Sequence, residues 1–105
     1  VDQSLALLME ATQKANGILI VTADHGNADE MLLRDKTGAF VPDEIDEWQA
    51  CTSHSCNPVP LYIVGAPTEV KLVDGGGLAN VAATTLACLG FAAPEEYATS
   101  LLIRA

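Results

Sequence analysis

Basic side chains are scarce in this chain of 105 residues: five Lys and Arg stand against fourteen Asp and Glu, for a formal net charge of -9. A surface so acidic repels nucleic acid and anionic lipid, and the basic patch that either partner needs is absent. Lys14, Arg34, Lys36, Lys71 and Arg104 are scattered, so they cannot build the cationic cage that a phosphorylated small molecule requires. Long apolar runs are missing too. No stretch approaches the ~20 residues needed to cross a bilayer and no signal peptide is visible, so cytoplasmic residence with no membrane partner is expected. Cysteine is limited to three residues, an odd number that fits reduced thiols better than a disulfide framework. Neither an internal repeat nor a low-complexity tract is evident.

Apolar residues are plentiful by contrast, at 50% of the chain, enough for the core of one small domain. Leu5, Leu8 and Met9, extended by Thr12 and Ala15, follow helical spacing and predict a helix over 2–16. Asn16-Gly17 supplies a residue able to end it in the left-handed conformation. The chain begins with Val1, already inside this pattern, which predicts further sequence upstream. Gly17 leads into a strand over 18–23, and the short connection suits an α/β unit.

A turn or short helix is expected near Ala28 to Leu33. A long polar loop or small hairpin then covers about 34–52, with Lys36-Thr37-Gly38 as its turn signal. The acidic run Asp43-Glu44-Ile45-Asp46-Glu47 reads as a solvated part of that loop. Pro60 to Val64 is a second strand, entered through prolines that cannot donate to a ladder. Asp74-Gly75-Gly76-Gly77 enters an amphipathic helix carrying Leu78, Val81, Ala82, Thr85, Leu86 and Leu89, which Gly90 terminates. Cys88 reads as core within that helix. The triple glycine could cradle phosphate at a helix start, but no strand precedes it at P-loop spacing and no Lys follows, so its job is to turn the chain. Leu101-Leu102-Ile103 is expected to dock as a short terminal strand.

The chemistry-bearing residues gather at two places. At the first, the apolar run Ile18 to Thr22 meets Asp24-His25-Gly26, a carboxylate and an imidazole at the carboxyl end of a strand, where α/β sheets place their sites. Adjacent strand residues face opposite ways, so both side chains can serve one ion only where the chain leaves the pleat. Gly26 provides that departure, tolerating positive φ and allowing close backbone approach. A carboxylate with a neutral imidazole suits a divalent ion such as Mn²⁺, Zn²⁺ or Co²⁺. An Asp turning the chain beside a surface His is the alternative that the dipeptide alone leaves open. The second place is Cys51-Thr52-Ser53-His54-Ser55-Cys56-Asn57-Pro58-Val59-Pro60. Its Cys-x-x-His-x-Cys spacing departs from the common zinc knuckles, which leaves His54 as the ligand and both thiols as neighbours beside the pocket.

Taken together, the Thr22 to Ala28 block, Thr52-x-His54 with Pro58-Val59-Pro60, the Gly77 to Gly90 helix and the closing Ala93 to Leu101 resemble the carboxyl-terminal segment of the cofactor-independent phosphoglycerate mutases. These are members of the alkaline phosphatase superfamily. The resemblance covers nearly the whole chain and is loosest over 34–50, where the longer loop looks like the plant and trypanosomatid type. It implies an α/β fold: the carboxyl-terminal portion of a three-layer α/β/α alkaline-phosphatase-like domain over 1–105, with an insertion at about 34–52.

The same resemblance implies a site of two divalent metal ions, Mn²⁺ foremost with Mg²⁺, Co²⁺ or Zn²⁺ as alternatives, and no requirement for 2,3-bisphosphoglycerate. Asp24 and His25 inherit ligation of one ion and His54 of the other. The family's nucleophilic serine, an aspartate near its amino terminus and an Asp-x-x-x-His pair have no match here, so the chain holds no catalytic nucleophile. The implied activity of the parent protein is interconversion of 3- and 2-phosphoglycerate through a phosphoserine. Phosphoglycerate would be gripped by parts outside this chain. The parent is expected to be monomeric, and the segment alone to be inactive and prone to self-association through unpaired strand edges. Alternatives are another enzyme of the superfamily, such as a phosphopentomutase, phosphatase or sulfatase, and a non-catalytic interaction module that kept the fold.

Overall fold

A computed structural model of the chain describes residues 1–45 and 47–104. Asp46, within the acidic run, and Ala105 lie outside the described residues. The chain divides into two compact units, Val1–Val21 with Leu61–Ala105, and Thr22–Pro60.

In the first unit, helix α1 (Asp2–Lys14) ends through a complete left-handed cap. Asn16 takes φ 55, its amide donates to the Gln13 carbonyl at 3.1 Å, and the Gly17 amide reaches back to the Thr12 carbonyl at 2.9 Å. That pair of bonds satisfies carbonyls the helix would leave open. The left-handed residue is therefore Asn16 rather than Gly17. Asn can adopt this conformation because its short polar side chain is tolerated there.

Strand β1 (Leu19–Thr22) pairs with β2 (Leu61–Val64) in a two-stranded sheet. Its Leu19, Ile20 and Val21 are half-buried rather than sealed, and β2 alternates half-buried and exposed positions. A second sheet joins β3 (Val70–Leu72) to β4 (Leu102–Arg104), antiparallel with Lys71 opposite Ile103. The expected terminal strand is present. Its partner β3 went unread in the sequence, because three residues are too few to show a period of two.

Helix α2 (Val81–Cys88) follows a 3₁₀ turn at Leu78–Asn80. Gly90, at φ 85, ends it as expected, with the Gly90 amide bonded to the Ala87 carbonyl and the Phe91 amide to the Leu86 carbonyl. Ala83 and Thr84 on this helix, each 1% exposed, are the fully buried residues of the described chain. Cys88 is half-buried rather than core.

The second unit departs most from expectation. Between Met31 and Cys51 the chain folds into a three-sided ring instead of a loose loop or single hairpin. Antiparallel bridges join Arg34 to Phe40, Pro42 to Trp48 and Leu32 to Ala50. Three backbone bonds close a circuit: the Leu33 amide to the Gln49 carbonyl at 2.8 Å, Gln49 to Val41 at 2.9 Å, and Val41 to Leu33 at 3.0 Å. Two corners are built alike. Asp35 Oδ1 accepts the Thr37 and Ala39 amides at 2.8 and 3.1 Å, and Asp43 Oδ1 accepts those of Ile45 and Glu47 at 2.9 and 2.8 Å. At the third corner the chain enters and leaves, fastened by the Cys51 amide on the Met31 carbonyl at 2.8 Å. Phe40 and Trp48 lie 5.5 Å apart, and the Arg34 guanidinium sits 4.1 Å over the Phe40 ring.

This ring is an internal repeat that sequence inspection missed. Asp35 with Phe40 returns eight positions later as Asp43 with Trp48. Only a corner carboxylate and an aromatic recur, because a side chain that bonds its own backbone two and four residues on is all each corner needs.

Candidate metal centre

The two candidate ligand segments fall within the same compact unit. β1 ends at Thr22, whose hydroxyl donates to the Pro60 carbonyl at 2.8 Å. That bond uses the acceptor of a residue that has no amide to give. The chain then leaves the pleat through Asp24, His25 and Gly26 before a 3₁₀ turn at Asn27–Asp29.

Asp24 Oδ1 lies 3.6 Å from His25 Nε2, with the carboxylate side chain 86% exposed and the imidazole 31%. Across from them, separated by nearly thirty positions of sequence, the His54 ring centroid is 4.3 Å from that of His25, tilted by 40°. The structure thus brings Asp24, His25 and His54 into one neighbourhood. Among the described residues no group of three or more His, Cys, Asp or Glu is placed to hold a metal ion. What is assembled is an oxygen and nitrogen donor pair facing a second imidazole, open to solvent. The donor chemistry fits divalent ions of the Mn²⁺ to Zn²⁺ group, and the set is partial.

Gly26 acts differently from its expected role. Its φ is -102, an angle any residue adopts. What requires glycine here is space, since a Cβ would stand 2.9 Å from Asn57 Cβ and 3.0 Å from the Asn57 carbonyl oxygen. The close approach expected of this glycine is therefore made by its own chain, in the segment that follows His54.

Two further residues fasten the segments. Asn27 Oδ1 accepts the Ser55 amide at 2.6 Å. The Asn27 amide points at His25 Nδ1 at 3.4 Å, a long bond that leaves the lone pair on Nδ1 and the ring proton on Nε2 in the neutral ring. Ser55 Oγ is buried and, among the described residues, has no hydrogen-bond partner. In the sequence Asn27 figures only within the Thr22 to Ala28 block. The signal that could have marked it was an Asn just past the Asp-His turn, a residue with donor and acceptor on one short stem.

The cysteines stand apart from this arrangement. Cys51 is half-buried at the neck of the ring and Cys56 is exposed, so Cys56 is not enclosed beside the histidines. Cys88 belongs to the other unit, and burial pushes its thiol above the ordinary range. The glycine-rich loop is engaged by its own helix, with the Gly77 amide donated to Asn80 Oδ1 at 2.8 Å and Asn80 Nδ2 donated to the Thr99 carbonyl at 2.7 Å.

Comparison with known proteins adds to this geometry. The profile of the metalloenzyme superfamily matches residues 1–93. The chain belongs to the metalloenzyme superfamily. Within it, the chain is 44% identical over 107 residues to a 2,3-bisphosphoglycerate-independent phosphoglycerate mutase of Trypanosoma brucei brucei, covering 97% of this chain and 19% of that protein. It is 41% identical to a probable second such mutase of Arabidopsis thaliana, covering 96% of this chain and 19% of the relative. A crystal structure of Leishmania mexicana phosphoglycerate mutase at low cobalt concentration superposes with a TM-score of 0.86 and 44% identity, over 99% of this chain and 20% of that one. The fold is accordingly part of an alkaline-phosphatase-like α/β domain. This superfamily member spans about a fifth of the length of the relatives it matches.

Proposed function

We propose that this chain contributes the carboxyl-terminal metal ligands of a cofactor-independent phosphoglycerate mutase, with Asp24 and His25 holding one divalent ion and His54 a second. The observation that carries the reading is the 4.3 Å approach of the His25 and His54 rings with the Asp24 carboxylate alongside. The names of the relatives and their identities of about two in five support the mutase over a phosphopentomutase, sulfatase or phosphatase. Mn²⁺ is the proposed resident ion and the cytoplasm the proposed compartment.

Divalent ions at such a site supply charge stabilisation for phosphoryl transfer and lower the pKa of a bound hydroxyl. The part this chain plays is positional. The turn after β1 aims a carboxylate and an imidazole from one backbone corner, and the His54 segment presents its ring from across the gap. With only five basic residues in the chain, the cationic contacts for phosphoglycerate, and the serine that carries the phosphate, belong to sequence beyond these 105 residues. Isolated, the segment is expected to turn over no phosphoglycerate.

Calorimetric titration of Co²⁺ into the protein at its full natural length tests the ligand assignment. Asp24→Ala, His25→Ala and His54→Ala should each lower metal affinity about tenfold or more. Unchanged binding in all three sinks the reading and favours a non-catalytic module.

A further inference from the structure

We propose that Asn27 is a positioning residue that sets the spacing between the two candidate metal-ligand segments. The inference rests on the metal reading above and assigns a role to a residue that touches neither ion. Its basis is the way His54 is held. Residues 53–60 form neither helix nor strand, so no ladder fixes the backbone that carries the ring. His54 is exposed, and among the described residues its side chain makes no hydrogen bond. Beyond the His25 ring that it packs against, its place is therefore inherited from the neighbouring backbone.

That backbone is gripped one residue on. The Ser55 amide donates to Asn27 Oδ1 at 2.6 Å in a part-buried bond that bridges 28 positions of sequence. Asn27 itself stands two residues after His25, in the 3₁₀ turn that directly follows the Asp24-His25-Gly26 corner. One side chain thus couples the corner bearing Asp24 and His25 to the segment bearing His54. The bare Gly26 also lets Asn57 close to contact, so the segment is held at two points just after the histidine. The neck bond from Cys51 to Met31 delivers the two segments side by side, but it lies three residues from His54 and cannot set the ring's position alone.

Residues that orient metal ligands without touching the ion typically change metal affinity by ~10–100-fold when removed. Asn27→Ala deletes the acceptor and Asn27→Asp keeps it. In the protein at its full natural length, Co²⁺ affinity by calorimetry, the Co²⁺ absorption spectrum and hydrogen exchange of the Ser55 amide are measured for both variants beside His54→Ala. The expected result is a loss of about tenfold or more in affinity for one of the two ions in Asn27→Ala, with an altered spectrum and faster Ser55 exchange. Asn27→Asp should restore exchange protection and the spectrum. If His54→Ala weakens Co²⁺ binding while Asn27→Ala leaves affinity and spectrum unchanged, the positioning role is wrong and the metal reading survives. If Asn27→Ala lowers only thermal stability, the role is merely structural and the proposal fails. If His54→Ala also leaves binding intact, both fall together.

Discussion

The Thr84 hydroxyl accepts the Leu101 amide at 2.9 Å while donating to the Asn80 carbonyl at 2.7 Å. This hydroxyl is 1% exposed as part of its residue, and it fastens the segment before β4 to the middle of α2. Replacing Thr84 by Val keeps the shape and strands a buried amide, which costs about 1–3 kcal/mol. Thr84→Ser should lose less, because the donor and acceptor remain. Urea denaturation of the two variants checks the order, and a larger loss in Thr84→Ser would mean that the methyl group rather than the hydroxyl holds the joint.

Two glycines with the same backbone angle should respond unequally to alanine. Gly65 and Gly38 both have φ 86, but a Cβ on Gly65 would meet the Gly17 carbonyl oxygen at 2.7 Å, whereas one on Gly38 meets nothing within 4 Å. Gly38→Ala therefore carries only the left-handed penalty of roughly 1 kcal/mol. Gly65→Ala should exceed it clearly, because backbone must move. Thermal denaturation of both variants reads the difference, and parity would show that the Gly17 chain yields freely.

Acid should open the Asp35 corner of the ring. The Thr37 hydroxyl, then the Thr37 and Ala39 amides, hold the Asp35 carboxyl below its ordinary value of 3.8. A group whose folded pKa is depressed adds stability above its unfolded pKa and loses it as pH falls through the folded one. Carbon NMR of the Asp35 carboxyl should show a midpoint under the ordinary value, moving up in Thr37→Ala. Because the carboxyl is exposed, the consequence is local and should be read as faster exchange of the Thr37 and Ala39 amides at low pH.

The His25 ring offers a spectroscopic test independent of activity. With its Nδ1 accepting from the Asn27 amide at 3.4 Å, the neutral ring carries its proton on Nε2. An ion bound at Nε2 demands the other tautomer, with Nδ1 protonated and the long bond from Asn27 given up. Nitrogen NMR of the ring should show this exchange on adding Zn²⁺. Persistence of the Nε2-protonated tautomer at saturating metal would exclude ligation through that nitrogen.

The features legible in the sequence were those governed by a few adjacent residues. Gly90 marks the end of α2 because only a residue free to take positive φ closes that cap at no steric cost, and the Asp24-His25 corner announces itself through donors at the end of an apolar run. Asn16 and Gly17 marked the end of α1 together, although which of them turns left-handed depends on the bonds back to Thr12 and Gln13. The ring over Met31 to Cys51 was not legible. Its three sides hold one another through single bridges, and its residues carry no alternation long enough to announce strands. The Asn27 to Ser55 bond was hidden for a related reason, since a contact across 28 positions depends on how the ring folds its neck shut.

Because Met31 and Cys51 meet as neighbours, everything between them can vary in length, be nicked or be exchanged for a tight turn without relocating the residues on either side. A closed insertion of this kind behaves as a cassette. Change confined to it leaves both histidines in register, so the surface beside the candidate ligands can be rewritten while they stay where they are.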